Sequence, residues 1–166
     1  IRFALYDVLD SEKRFAELGF GEVDRGTADA VLDEAARFTE TVLAPLNKIG
    51  DEVGCKFDPA TGDVIVPPGF EQAYAQFAEG GWTGLVNDPR HGGQGMPTVL
   101  GGALTEMVDA ANLAWGNFPM LSHGAVEALS RYGTDWQQEV FLKRLVDGRW
   151  TGTMCLTEPH CGTDLG

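Results

Sequence analysis

The sequence has little positive charge, few cysteines and no long apolar run. Its 12 Lys and Arg stand against 25 Asp and Glu, which gives a net charge of −13. The cations are scattered and form no basic stripe, so nucleic-acid binding is not expected. No apolar stretch approaches the roughly 20 residues of a membrane helix, so stable membrane insertion is not expected either.

Cysteine is equally scarce, at Cys55, Cys155 and Cys161. An odd, sparse set gives no disulfide framework and favours a reducing compartment, with the cytoplasm as the expected location. The spacing of Cys155, His160 and Cys161 does not match a zinc site, so no metal is expected. Because the chain opens at Ile1 and stops at Gly166 directly after a motif, we expect a fragment of a longer protein.

Apolar periodicity predicts a mostly α-helical domain over residues 1–148. The longest early helix is predicted over residues 27–46, with Thr27 as N-cap and a kink or end at Pro45. Thr134 with Gln137 three residues later is a capping-box pattern that opens the last helix. The other predicted helices lie near residues 1–9, 12–18, 70–79, 98–112 and 120–132.

Two segments have β character. Residues 55–68 suit either a small hairpin or an ordered loop, because turn chemistry precedes the run Val64 to Val66. Residues 149–157 alternate with period two and predict a strand, after which Pro159 excludes a central ladder position. We therefore divide the chain into a helical domain, 1–148, with an extra segment at 1–20, and an incomplete β-domain, 149–166.

One motif carries most of the functional information. Residues 154–164 read Met-Cys-Leu-Thr-Glu-Pro-His-Cys-Gly-Thr-Asp. This run resembles the flavin-binding signature of the acyl-CoA dehydrogenase family, a strand ending in Thr-Glu-Pro, then two residues and Gly-Ser-Asp. The helix from Gly133 to Gly148 and the glycine-rich loop from Pro89 to Gly95 also resemble that family in order and spacing. The glycine loop alone is a weak signal, since it matches no phosphate-binding fingerprint.

The resemblance implies the fold and the reaction. The fold would be the family's N-terminal helical, up-and-down bundle-like domain followed by the first strand of its middle β-domain. The reaction would oxidise an acyl-CoA thioester to a trans-2-enoyl-CoA, by α-proton abstraction and β-hydride transfer to FAD. The residues implied in cofactor binding are Met154, Leu156, Thr157, Gly162 and Thr163, where Thr163 stands at the usual serine position.

The same resemblance suggests substrate contacts. Thr163 would lie near the pantetheine arm, and the residues implied for the acyl pocket are Asn117, Met120, Leu121 and Gly124. Simple helix packing explains each of those four positions equally well. The family's catalytic base is a glutamate of a later helical domain, so no catalytic residue is expected in this chain.

The opening run Ile1 to Leu9 resembles an extra segment of a larger subgroup that includes the 3-methylmercaptopropionyl-CoA dehydrogenases. The implied partners are an acyl-CoA substrate, an electron-transfer flavoprotein as electron acceptor, and further copies in a homodimer or homotetramer of the full-length protein. Two other interpretations stay open. One is a related acyl-CoA oxidase or flavin monooxygenase, and the other is a non-catalytic helical binding module.

Overall fold

Helices dominate the computed structural model, which describes residues 1–164. The element order is a π-helical turn at Phe3–Val8, α1 at Ser11–Glu17, α2 at Arg25–Phe38, a π-helical turn at Thr39–Leu43, α3 at Ala44–Val53, β1 at Lys56–Phe57, β2 at Val64–Ile65, α4 at Phe70–Glu79, 3-10 turns at Trp82–Gly84 and Pro89–His91, α5 at Thr98–Tyr132, α6 at Asp135–Gln137, a π-helical turn at Gln138–Leu142 and α7 at Lys143–Val146. The predicted mostly α fold class is confirmed.

The first long helical rod runs from α2 through the π-helical turn into α3. Its N-cap is Asp24, whose carboxylate accepts a hydrogen bond from the Thr27 N–H at 2.7 Å, so the prediction of Thr27 as N-cap is wrong. Because the Asp24 carboxylate accepts from the N–H of the residue three positions later, Asp24 caps the helix, and Thr27 lies inside its first turn. Pro45 does not end the rod: it lies in the first turn of α3, directly after the π-helical turn at Thr39–Leu43.

Helix α5 consists of two halves that meet at Asn112. The backbone of Asn112 is non-helical, with φ −162° and ψ 85°. The sequence predicts a helix end at this residue, as observed, but the second half resumes at once rather than at Met120. The reason is that the Asn112 Oδ1 accepts a hydrogen bond from the Trp115 N–H at 3.0 Å and so caps the second half.

Of the two alternatives for residues 55–68, the structure shows the hairpin. Strands β1 and β2 pair antiparallel, with Lys56 opposite Ile65 and Phe57 opposite Val64. The connecting turn includes Gly62 at φ +80°, a conformation that favours glycine. The last helical segment begins with the predicted capping box, in which Thr134 and Gln137 each bond the other's backbone N–H.

Three apolar clusters hold the helices together. The largest joins α2, α4 and both halves of α5 around Trp115, which is fully buried and contacts Phe77 edge-on at 5.3 Å between ring centroids. A second cluster packs Leu5 and Phe15 of the N-terminal segment against α2 and α5. The third joins the end of α5 to α7. The second half of α5 therefore connects the main core to the last helix.

The segment after α7 differs from its prediction. Residues 151–157 pair with no strand among the described residues, so the predicted strand over 149–157 does not form in this chain. A strand needs a neighbour to accept its N–H groups, whereas a helix satisfies its own. Within residues 1–164, no helix has the length and apolar character to cross a membrane. Over the same range, His, Cys, Asp and Glu side chains form no group of three that could hold a metal.

Candidate functional site

A cavity of about 330 Å³ opens beside the two halves of α5. Its walls come from α4, from the 3-10 turn at Trp82–Gly84 with the residues that follow it, from α5, and from Leu145 of α7. Apolar side chains dominate the lining: Phe77, Trp82, Leu85, Val86, Leu104, Val108, Pro119, Met120, Val126 and Leu145. A largely apolar hollow of this volume is typical of a small-molecule site.

The break at Asn112 shapes this cavity. Asn112 is buried, and its Nδ2 donates to the Leu43 carbonyl at 3.4 Å, while its Oδ1 caps the next helical turn. The Trp115 indole N–H donates to the Phe70 carbonyl at 3.2 Å, which fixes the second half of α5 against α4. As a result, both halves present residues to one hollow, with Thr105 and Asp109 before the break and Met120 and His123 after it.

Two glycines determine how much room the cavity has. At Gly102 an added Cβ would meet no atom within 4 Å, so a side chain there would project into open space along the cavity wall. At Gly116 an added Cβ would lie 2.7 Å from the Asp109 Oδ1, so that position is filled by the carboxylate. Gly102 is therefore not required by packing, and its small size leaves space in the cavity.

The structure brings only one of the predicted acyl-pocket residues to this cavity. Met120 lines it and is 54% exposed. Asn117 is exposed, and its Nδ2 donates to the Leu113 carbonyl at 3.3 Å, which is a contact within its own helix. Leu121 and Gly124 do not line the cavity; the Leu121 carbonyl instead lies beside Gly152. The assignment of these residues to substrate binding stays a prediction.

The segment predicted to bind the flavin begins at the same half of α5. The Gly152 N–H donates to the Ser122 Oγ at 2.9 Å, and Ser122 also lines the cavity. An added Cβ at Gly152 would lie 2.7 Å from the Ala125 Cβ, so glycine permits this close approach. Just upstream, the Trp150 N–H donates to the Arg144 carbonyl at 2.8 Å. These contacts position the start of the segment beside the cavity.

Beyond Gly152 the segment is open. Met154 is 63% exposed, Thr157, Gly162 and Thr163 are exposed, and Leu156 is half-buried. Glu158 and Cys161 form a tight turn through two backbone hydrogen bonds, at 2.8 and 3.2 Å, with Pro159 and His160 at its corners. The turn begins directly after Thr157, so the Thr-Glu-Pro sequence does end the extended part of the motif.

The extended part of this segment has unpaired hydrogen-bond donors. No backbone N–H from residue 153 to 157 donates a hydrogen bond to any other described residue. The Thr157 side chain is likewise exposed and adds a hydroxyl. Free N–H and O–H groups can bind the carbonyl and ring-nitrogen acceptors of a flat, partly apolar cofactor.

Sequence reasoning missed two residues of this arrangement. Ser122 links the cavity to residues 150–164, the signature segment. A single serine in an apolar helix, however, forms no sequence pattern that marks it as functional. Gly102 lies in the run Gly101-Gly102, which is unusual inside a helix because glycine costs about 1 kcal/mol there relative to alanine. Two adjacent glycines that destabilise a helix in this way are the sequence signal that could have identified Gly102 as a residue of the cavity wall.

Known proteins share both the sequence and the fold. Residues 26–149 match the family described as Acyl-CoA dehydrogenase, N-terminal domain. The 3-methylmercaptopropionyl-CoA dehydrogenase of Ruegeria pomeroyi is 43% identical over 146 residues, covering 88% of this chain and 24% of that protein. A butyryl-CoA dehydrogenase of Syntrophomonas wolfei is 34% identical over 170 residues, covering 100% of this chain and 27% of that protein. The chain spans about a quarter of the length of these relatives.

A solved structure agrees at the level of the fold. Butyryl-CoA dehydrogenase from Megasphaera elsdenii has a TM-score of 0.67 at 24% identity, covering 82% of this chain and 33% of that one. The helical architecture is therefore shared, and the family match covers most of the chain. The resemblance first seen in the Thr-Glu-Pro motif is confirmed, and the chain belongs to the acyl-CoA dehydrogenase family.

Proposed function

We propose that this chain forms the N-terminal part of an FAD-dependent acyl-CoA dehydrogenase that oxidises an acyl-CoA thioester to the trans-2-enoyl-CoA. Family membership implies a flavin cofactor, and FAD is our specific proposal. The observation that carries it is the role of Ser122, which lines the apolar cavity and also binds the start of the exposed signature segment. Helix α5 thus lines an apolar cavity suited to an acyl chain and also binds the start of the segment whose unpaired donors would bind the cofactor.

The cavity would bind the acyl chain. Its apolar lining offers about 0.8 kcal/mol for each methylene removed from water. Met120 contributes to this wall, and the space in front of Gly102 sets how far a chain can extend. Asn117, Leu121 and Gly124 remain proposed contacts of the substrate nearer its thioester end, with Thr163 near the pantetheine arm.

The signature segment would bind the cofactor. The backbone groups of Met154 and Leu156 and the hydroxyl and N–H of Thr157 would bind its pyrimidine edge, and Gly162 with Thr163 its pyrophosphate. When bound, the flavin supplies the acceptor for the β-hydride. Donors held at this edge stabilise the negative charge that reduction places there. We assign the α-proton to a base outside this chain.

The remaining proposals concern the whole protein. An electron-transfer flavoprotein is the proposed electron acceptor, the proposed assembly is a homodimer or homotetramer, and the proposed location is the cytoplasm. The surplus of acidic residues is compatible with a soluble oligomer, since net charge opposes non-specific association.

A spectroscopic experiment tests the reaction. The complete product of the gene that encodes this chain should carry a flavin absorbance that bleaches when acyl-CoA is added without oxygen. Thr157→Val should lower flavin occupancy, whereas Thr153→Val, at a neighbouring threonine that is also exposed, should leave it unchanged. A purified product that contains no flavin would refute the proposal.

A chain-length experiment tests the cavity. Gly102→Leu would add a side chain at the cavity wall and should shift the preferred thioester to shorter acyl chains. Gly124→Leu tests the other proposed contact for comparison: Gly124 is also a helical glycine with no atom within 4 Å of an added Cβ, but it does not line the cavity, so the preferred chain length should not change. A shift with Gly124→Leu and none with Gly102→Leu would place the acyl chain at the sequence-predicted position instead.

A further inference from the structure

The few cations of this acidic chain are distributed unevenly. Most Lys and Arg side chains lie within 4.0 Å of a carboxylate, as Arg2 does with Asp29 and Arg131 with Glu127. Within residues 1–164, the cations that form no ion pair are Lys56, Lys143 and Arg144. Two of these, Lys143 and Arg144, lie in α7 and line the same groove.

These two cations line a groove that also contains an exposed aromatic ring. The groove is bounded by Trp136, Glu139, Val140, Lys143, Arg144 and Arg149. Trp136 is 64% exposed, and its ring stands edge-on to Phe141 at 5.9 Å and 86°. The contact with Phe141 holds the indole, which leaves ring surface open to solvent. The Arg144 guanidinium lies 4.5 Å from the Trp150 ring centroid and is held by that contact.

The local charge is positive despite the net charge of −13. Arg149 lies 2.6 Å from Asp147 and lowers the pKa of that carboxyl, as Lys143 also does from beyond ion-pair distance, so the Asp147–Arg149 pair stays ionised and largely cancels. Among the residues that line the groove, Glu139 offsets one of the two unpaired cations, and one positive charge remains. Charges more than about 8 Å away are screened at physiological ionic strength, so the distant acidic faces do not decide binding here.

We propose that this groove binds a nucleoside phosphate, with the base stacked on Trp136 and the phosphates bound by Lys143 and Arg144. Base–aromatic stacking tolerates any base with a π-face, and an unpaired cation is free to bind a phosphate without first losing a carboxylate. The groove lies on the opposite side of the last helical segment from Leu145, which faces the apolar cavity. The groove and the proposed acyl cavity have no lining residue in common, and the proposal does not depend on the proposed reaction.

Calorimetric titration of the chain with ADP tests the proposal. Saturable binding is expected, with weaker binding of adenosine and of inorganic phosphate, because each offers only half of the contacts. Lys143→Gln and Trp136→Ala should each weaken ADP binding about tenfold. Glu139→Gln should tighten it, since that change removes the one unpaired negative charge of the groove.

Matched controls are available in the same chain. Lys56→Gln removes the third unpaired cation, which lies in β1 and not in the groove, and Tyr132→Ala removes another exposed aromatic. Both should leave ADP binding unchanged. Circular dichroism of each variant separates loss of binding from loss of fold, and Lys143→Gln breaks no ion pair within 4.0 Å.

Three results would overturn the proposal. One is the absence of saturable ADP binding by the folded chain. Another is binding that survives both Lys143→Gln and Trp136→Ala. The third is binding by this chain but not by the complete gene product, which would mean that other parts of the protein cover the groove. None of these results bears on flavin content, so failure here is distinct from failure of the proposed reaction.

Discussion

The helical body around Trp115 and the signature segment from Trp150 to Asp164 are held in different ways. Trp115 is 0% exposed and contacts the rings of Phe38, Tyr74 and Phe77. In contrast, no residue from 149 to 164 is buried. The segment is fixed at its start by the Gly152 and Trp150 hydrogen bonds and is open beyond them.

Hydrophobicity does not explain this difference, because the segment contains Trp150, Met154 and Leu156. The body is built from helices, which satisfy their own backbone groups and need only an apolar face to pack. A period-two segment needs a neighbouring strand before its N–H groups and its side chains can be covered. The same unpaired donors that leave the segment open are those proposed to bind the cofactor.

The largest test of this comparison exchanges a tryptophan in each region for alanine. Trp115→Ala should lower the free energy of unfolding by about 3–5 kcal/mol, because it leaves a cavity in the core. Trp150→Ala should lower it by about 1 kcal/mol, since Trp150 is 41% exposed and contacts mainly Arg144 and Phe141. Urea denaturation of both variants measures the difference. Equal losses would show that the segment is part of the cooperative core.

The break in α5 gives the second test. Asn112→Ala should cost about 2 kcal/mol, because it removes the cap of the second half and leaves the buried Trp115 N–H without an acceptor. Asn112→Ser keeps a capping oxygen and should recover part of that loss. Asn117→Ala is the control on the exposed surface and should change stability by less than about 0.5 kcal/mol. A neutral Asn112→Ala would mean that the break does not depend on its side chain.

The sequence predicted the helices well because their signals are local. The capping box at Thr134, the helix end at Asn112 and the turn at Gly62 each depend on residues a few positions apart. The same locality explains the wrong N-cap, since Asp24 and Thr27 are both good caps and only the folded chain selects between them. Periodicity could not show that residues 149–157 would lack a pairing partner.

The sequence identified the family through the Thr157 motif. Met120, expected in the acyl pocket, lines the cavity, and its role in substrate binding stays a prediction. The contact between Ser122 and Gly152 joins residues 30 positions apart, so no local pattern encodes it. Residues of the cavity wall such as Leu85 and Leu145 have the same apolar character as core residues. Which of them face a hollow depends on the angle between the halves of α5.

The hydrogen bond from Gly152 to Ser122, which fixes the start of the signature segment, should have a smaller and local effect when it is broken. Gly152→Ala would place a Cβ 2.7 Å from the Ala125 Cβ and 3.1 Å from the Ser122 Cα, so the segment should move away from α5. The global free energy of unfolding should change by less than about 0.5 kcal/mol. Amide hydrogen exchange at residue 152 should nevertheless become faster, because the bond to Ser122 is lost.

Ser122→Ala should reproduce that change, whereas Gly162→Ala, which has no atom within 4 Å of an added Cβ, should not. Unchanged exchange in Gly152→Ala would show that Ser122 does not anchor the segment.

The smallest expected effect concerns an exposed ion pair of the body, where charge rather than burial holds a loop. The Arg90 guanidinium, with the Arg90 N–H, lowers the pKa of Asp88 to about 2. A carboxyl whose pKa is depressed in the folded state stabilises the protein above its ordinary pKa, near 4, and loses that contribution as pH falls towards 2.

Asp88→Asn keeps an oxygen for the Arg90 N–H but removes the charge. The stability difference between wild type and Asp88→Asn should therefore shrink between pH 4 and pH 2, as followed by thermal unfolding. Arg90→Gln should show the same loss of pH dependence, and a difference that stays constant across that range would mean that this pair does not contribute to the stability of the body.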